Sequence, residues 1–169
     1  LALSDSRVGG CGTRRRHRQP AALARTSGGL PQPAKAFKLL NFAVNGKERS
    51  IKRSSRKAYQ EYSVSVGADV IEAAEPVTIS YTTSTVTKAI GHLLFFEIEQ
   101  PTNGINVSLD YTGTDITSVS AVDLVQSMRA SRIEHTPEEV QPKTLRVEID
   151  GWVFPRSGVA FVWALRSEQ

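Results

Sequence analysis

Residues 105–111 read Ile105-Asn106-Val107-Ser108-Leu109-Asp110-Tyr111. Every second side chain is apolar, a period of two that puts Ile105, Val107, Leu109 and Tyr111 on one face of a strand and the polar residues on the other. The same spacing recurs in both directions along the chain. Leu145, Val147 and Ile149 alternate with Arg146, Glu148 and Asp150. Tyr62, Val64, Val66, Ala68 and Val70 form one earlier series, and Val77, Ile79, Tyr81 and Thr83 another after Pro76. Leu94, Phe96 and Ile98 alternate with Phe95, Glu97 and Glu99, and Pro101-Thr102-Asn103-Gly104 then leads into the 105–111 stretch. Asn-Gly supplies the positive φ of a tight reversal, so a hairpin is expected there. Val159 to Leu165 is apolar at both parities, which predicts a central strand covered on both sides.

The remaining segments are less regular. Phe37 to Val44 reads as a strand ending at Asn45-Gly46, and Ser50 to Glu61 is too basic and Ser-rich to assign. Ile116 to Met128 begins β-like and reads as a bulged strand followed by a turn; Ser120 with Asp123, and Leu124 with Met128, support a short helix as the alternative. Thr136-Pro137-Glu138-Glu139 has an N-cap, a first-turn proline and a carboxylate, predicting one helical turn that Pro142 stops.

Some seven short strands separated by Gly, Pro and Asn turns, without long helical periods, predict an all-β antiparallel β-sandwich over residues 37–169. An immunoglobulin-like arrangement is preferred and a jelly roll is the alternative. The single Cys11 excludes an internal disulfide and a cysteine zinc cage.

Leu1 to Ala36 is rich in Gly, Pro and Arg, has no aromatic residue and lacks the apolar area to offset backbone ordering, so a disordered basic arm is expected. The chain opens on Leu1 and its one methionine is Met128, as expected of a processed product, a fragment or a non-AUG start. No apolar run follows Arg14-Arg15-Arg16-His17-Arg18 that would serve as an export signal, and none elsewhere is long enough for a membrane helix; a cytoplasmic location is the default.

The net charge of +4 conceals a polarity. Residues 1–36 carry seven basic side chains against one acidic, residues 37–61 seven against two, and residues 62–169 seven against fourteen. Polyanion attraction is therefore confined to the first third of the chain. Its candidates are Arg14, Arg15, Arg16 and Arg18 in the arm, and Lys52, Arg53, Arg56 and Lys57 beside Tyr59 and Tyr62, where cations and aromatics could meet phosphates and bases. A solvated basic loop is the plainer reading.

Catalytic chemistry finds little support. His17, His92 and His135 have no metal-ligand spacing, and structural roles are expected for them. Asp110-Tyr111-Thr112-Gly113-Thr114-Asp115 is better explained as an Asx-capped turn than as an aspartic-protease motif or a calcium loop. No phosphate loop, dinucleotide fingerprint or nucleophile elbow occurs, and no cofactor or metal is implied.

The stretch Gly151-Trp152-Val153-Phe154-Pro155-Arg156-Ser157-Gly158 is the most suggestive binding surface. A turn over Pro155 to Gly158 would present Arg156 at its tip, with Trp152 and Phe154 as aromatic anchors of the kind enriched at interfaces. Phe161 and Trp163 are assigned to the core. The preferred expectation is a non-enzymatic module that recognises a protein partner or extended ligand through a sheet face or this turn. A capsid-like protein that self-associates and packages nucleic acid with the arm is the second expectation, and a hydrolase built on Asp110, Asp115 and His135 the third.

Overall fold

The computed structural model describes residues 2–4, 8–10, 37–55, 60–73, 75–87, 91–125, 130–137 and 139–168. In chain order the elements are β1 (Ala2–Ser4), β2 (Val8–Gly10), β3 (Phe37–Val44), β4 (Lys47–Glu48), β5 (Ile51–Ser55), β6 (Gln60–Val64), the helix α1 (Ala68–Ala73), β7 (Val77–Thr85), β8 (Leu93–Glu97), β9 (Thr102–Asp110), β10 (Ile116–Asp123), β11 (Arg132–His135), β12 (Thr144–Val153) and β13 (Gly158–Leu165). A 3-10 turn over Arg166–Glu168 closes the described chain. The protein is all-β. Its large sheet runs β11-β12-β9-β1-β7-β3-β4, with β2 also lying between β7 and β9; a second sheet runs β10-β13-β8, and β5 and β6 pair with each other. Every pairing is antiparallel.

Period-two alternation explains where the core sits. Leu109 pairs with Leu145, Val107 with Val147 and Ile105 with Ile149, so three apolar pairs line one face of β9 and β12. Opposite them, β13 contributes Val159, Phe161 and Trp163, flanked by Leu94 of β8 and Val119 of β10. These residues form one buried cluster between the two sheets. Covering a single large apolar side chain is worth about 1.5–3 kcal/mol, so this shared interior is the main force holding the sheets face to face.

Several expectations hold. β13 is the central strand of its sheet. β3 ends at a two-residue turn, Asn45 (φ 50) and Gly46 (φ 76), whose paired positive φ values are those of a type I′ hairpin. β10 is a strand with a register irregularity between Ile116 and Ser118.

Other expectations are corrected. Pro101-Thr102-Asn103-Gly104 does not close a hairpin, because β8 and β9 belong to different sheets. β8 turns Leu94 and β9 turns Ile105, Val107 and Leu109 into the shared core from opposite sheets. Gly104 (φ +78) instead lies inside β9, opposite the irregularity in β12 that contains Gly151 (φ +87). The phase changes in β9 alone: Thr102 turns inward and Asn103 outward, while in β12 Val153 keeps the inward parity of Leu145, Val147 and Ile149 and Trp152 the outward parity of Arg146 and Glu148.

The strand starting at Tyr62 stops at Val64, and Ala68 and Val70 are helical. Gly67 has φ +106, a backbone conformation that residues with a Cβ adopt only under strain, so glycine suits the bend that separates strand from helix. Thr136 does not start a helix. Its N–H donates to the Thr144 carbonyl at 2.9 Å and its hydroxyl meets that of Thr144 at 2.6 Å, closing the β11–β12 hairpin, while Val140 N–H to Pro137 O at 3.0 Å makes a turn. Hairpin closure satisfies the backbone that a single helical turn would leave open. The unassigned 50–61 segment supplies β5 and β6. Within the expected arm, Ala2–Ser4 and Val8–Gly10 are strands; residues 11–36 lie outside the described residues.

Candidate functional site

The two sheets present outer faces of opposite character. On the large sheet, Arg132, Glu148 and Asn106 stand in one row across β11, β12 and β9. Glu148 accepts from Arg132 Nη1 at 3.2 Å, Arg146 Nη2 at 2.8 Å and Asn106 Nδ2 at 2.9 Å. This face satisfies its charges and is suited to water.

On the small sheet, register fixes three rows: Ser120, Val162 and Leu93; Val122, Ala160 and Phe95; and Gly158 with Glu97, to which Leu124 is joined by its N–H bond to the Gly158 carbonyl at 2.8 Å. Leu93, Phe95, Val122, Leu124 and Val162 are between 37% and 55% exposed. Glu97 is the one charged side chain in those rows. Phe95 lies across Gly158, its Cζ 2.9 Å from where a Cβ would stand, and that Cβ would also collide with the Phe96 carbonyl oxygen. Glycine at 158 therefore leaves room for the Phe95 ring against the strand.

One end of this apolar face adjoins the turn singled out in the sequence. Pro155 and Arg156 occupy its centre; Arg156 has φ 71, and Ser157 N–H donates to Phe154 O at 3.2 Å. A proline followed by a positive φ is the type II pattern. The turn is tied to the end of β8 by Arg156 N–H to Ile98 O at 3.0 Å and Ile98 N–H to Ser157 O at 2.8 Å. Phe154, at the start of this turn, and Arg156 are both exposed; Trp152 is half exposed but projects from the large sheet beside Asn103. The turn thus splits the expected trio: Phe154 and Arg156 sit at the apolar face, Trp152 elsewhere. Phe161 and Trp163 are in the core as expected.

The nucleic-acid candidates do not all fall among the described residues. Arg14, Arg15, Arg16, Arg18, Arg56 and Lys57 lie outside the described residues, as do Tyr59 and His17. Lys52 and Arg53 are exposed on β5, and the Arg53 guanidinium sits 5.9 Å from the Tyr62 ring centroid. Tyr62 itself donates to Gln60 Oε1 at 2.7 Å and packs edge-on to Phe37.

Nor does the hydrolase set converge. Leu109 and Leu145 face inward, so Asp110 faces outward, whereas His135 pairs with Leu145 and sits on the inward side at the exposed edge. Asp110 accepts from Thr112 N–H at 2.9 Å, the Asx turn that the sequence implied. Asp115 borders a cleft of about 650 Å³ with Thr85, Val86, Ile116, Trp163 and Arg166, and no histidine lines it. His92 donates from Nδ1 to the Trp163 carbonyl at 3.0 Å, and its Nε2 lies 3.0 Å from the Glu168 carboxylate, a structural clasp on the last turn. Among the described residues no group of three or more His, Cys, Asp or Glu side chains could hold a metal ion, and no helix is long and apolar enough to cross a membrane.

Leu93, Phe95, Val122, Leu124 and Val162 are not among the candidates that the sequence points to. The double apolar parity of Val159 to Leu165 and of Leu93-Leu94-Phe95-Phe96 predicts cover on both sides, whereas the structure leaves Leu93, Phe95 and Val162 exposed on the outer side. No protein-family model, curated protein or solved structure matches this chain.

Proposed function

We propose that this protein is a non-enzymatic binding module that holds a protein partner against the outer face of the β8-β13-β10 sheet. The observation that supports it is the contrast between an ion-paired outer face and an apolar one on the same two-layered body. A contiguous exposed apolar surface is costly in water unless something covers it in use. Phe154 and Arg156 extend the contact at the turn, and Trp152 is a separate, weaker anchor. The immunoglobulin-like label is proposed at the level of architecture, supported by two antiparallel sheets packed over one core.

The test is a selection of displayed random peptides on the full chain. Selected peptides are expected to lose at least about tenfold affinity for Phe95→Ser or Val162→Ser, the scale of one buried anchor, and to bind Arg146→Ser normally. Peptides indifferent to the two serine variants, or sensitive to Arg146→Ser instead, would place recognition elsewhere.

A further inference from the structure

β8 has an open edge as well as an apolar face. Among the described residues nothing pairs with it on the side away from β13. The phase of its ladder follows from two bonds, Trp163 N–H to His92 O at 3.2 Å and Ile98 N–H to Ser157 O at 2.8 Å. In an antiparallel pair, bonded and non-bonded positions alternate. His92, Leu94, Phe96 and Ile98 therefore bond toward β13, and Leu93, Phe95 and Glu97 turn their N–H and C=O groups to the free edge. These are the residues whose side chains form the β8 part of the outer face.

The other edges of the two packed sheets are guarded. β11 carries Arg132, Glu134 and His135, β4 is two charged residues long, and β10 has a register irregularity and ends at Asp123. Such devices prevent strand addition, and Leu93-Leu94-Phe95-Phe96 has none of them. At the far end of β8 stand Glu97 and Glu99, both exposed, and Arg156 is joined to this end through its N–H bond to the Ile98 carbonyl.

Resting on the proposal that the apolar face is the recognition surface, we infer that β8 accepts an added strand: an extended partner segment with apolar side chains at alternate positions and a cationic end. Its backbone meets the free groups of Leu93, Phe95 and Glu97. Its alternate side chains continue the row of Leu93 and Phe95, and its cationic end lies against Glu97 and Glu99. Residues 62–169, which hold every strand of the small sheet, carry fourteen acidic against seven basic side chains, so pairing of two such bodies is opposed; the occupant is a basic segment of another protein, and occupancy by the basic residues 1–61 of a second copy would show as protection that grows with protein concentration.

Amide hydrogen exchange on the full chain tests this, with and without a synthetic peptide of alternating valine and threonine ending in two lysines. At saturation the amides of Leu93, Phe95 and Glu97 are expected to exchange about tenfold more slowly or better, while Leu94 and Phe96 change little. The same peptide with alternate backbone amides methylated should not slow them, and a version ending in two glutamates should bind about tenfold more weakly. Binding that is lost in Phe95→Ser but leaves the three amides unprotected would overturn strand addition and keep the apolar face. Absence of binding would overturn the inference. Equal affinity for lysine and glutamate ends would overturn the cationic partner, and protection that grows with protein concentration when no peptide is present would overturn its being another protein.

Discussion

The outer faces of the two sheets are built on the same principle and finished differently. On β12, Leu145, Val147 and Ile149 are core while Arg146 and Glu148 are tied to Arg132 and Asn106. On β13, Val159, Phe161 and Trp163 are core while Val162 stands in an exposed apolar row. Folding requires only the inner half of each strand to be apolar. The residues on the outer half are therefore free to differ: charged and paired on β12, apolar and exposed on β13.

The comparison breaks if the outer face of β13 proves to be part of the fold. Phe161→Ala should cost about 3–5 kcal/mol of unfolding free energy in urea, as a core truncation, whereas Val162→Ser beside it should stay within about 0.5 kcal/mol. A comparable loss at both positions would mean that this face is covered within the chain. Gly158→Ala comes next, expected at about 1–3 kcal/mol because its Cβ meets the Phe96 carbonyl and displaces the Phe95 ring; thermal melting checks it, and a neutral result would show that β8 moves aside freely. On the polar face, Glu148→Gln should cost about 1 kcal/mol or less, shrinking further in high salt, since its ion pairs are partly solvated. Arg156→Gly should be neutral or stabilising by up to about 1 kcal/mol, as glycine relieves the positive φ while adding unfolded-chain entropy.

Strand positions and core residues were largely readable from the sequence, because an alternating series such as Ile105 to Tyr111 encodes which side chains meet the interior. Sheet membership was not. Asn103-Gly104 has the chemistry of a reversal, yet the same positive-φ tolerance serves an irregularity inside a strand, and only the packing of β8 over β9 decides between them. Val66 to Val70 keeps a period of two that a helix overrides once Gly67 bends the chain. The apolar face was legible as composition and misjudged as location: a run apolar at both parities is central whether one or both sides are covered. The turn at Pro155-Arg156 is legible from its residue types, and Trp152 faces outward by the same alternation as Arg146 and Glu148; what alternation alone does not reveal is the phase change of β9 at Gly104, which turns Thr102 rather than Asn103 inward.

If the outer face of β8-β13-β10 is the recognition surface, it is bare in the free chain and covered in use. Footprinting with a small diffusible carbene reads this residue by residue. In the free chain Leu93, Phe95, Val122, Leu124 and Val162 should label strongly and Phe161 and Trp163 hardly at all, and a bound peptide ligand should suppress labelling of the first group. Weak labelling of that group in the free chain, or labelling unchanged by a bound ligand, would contradict the account.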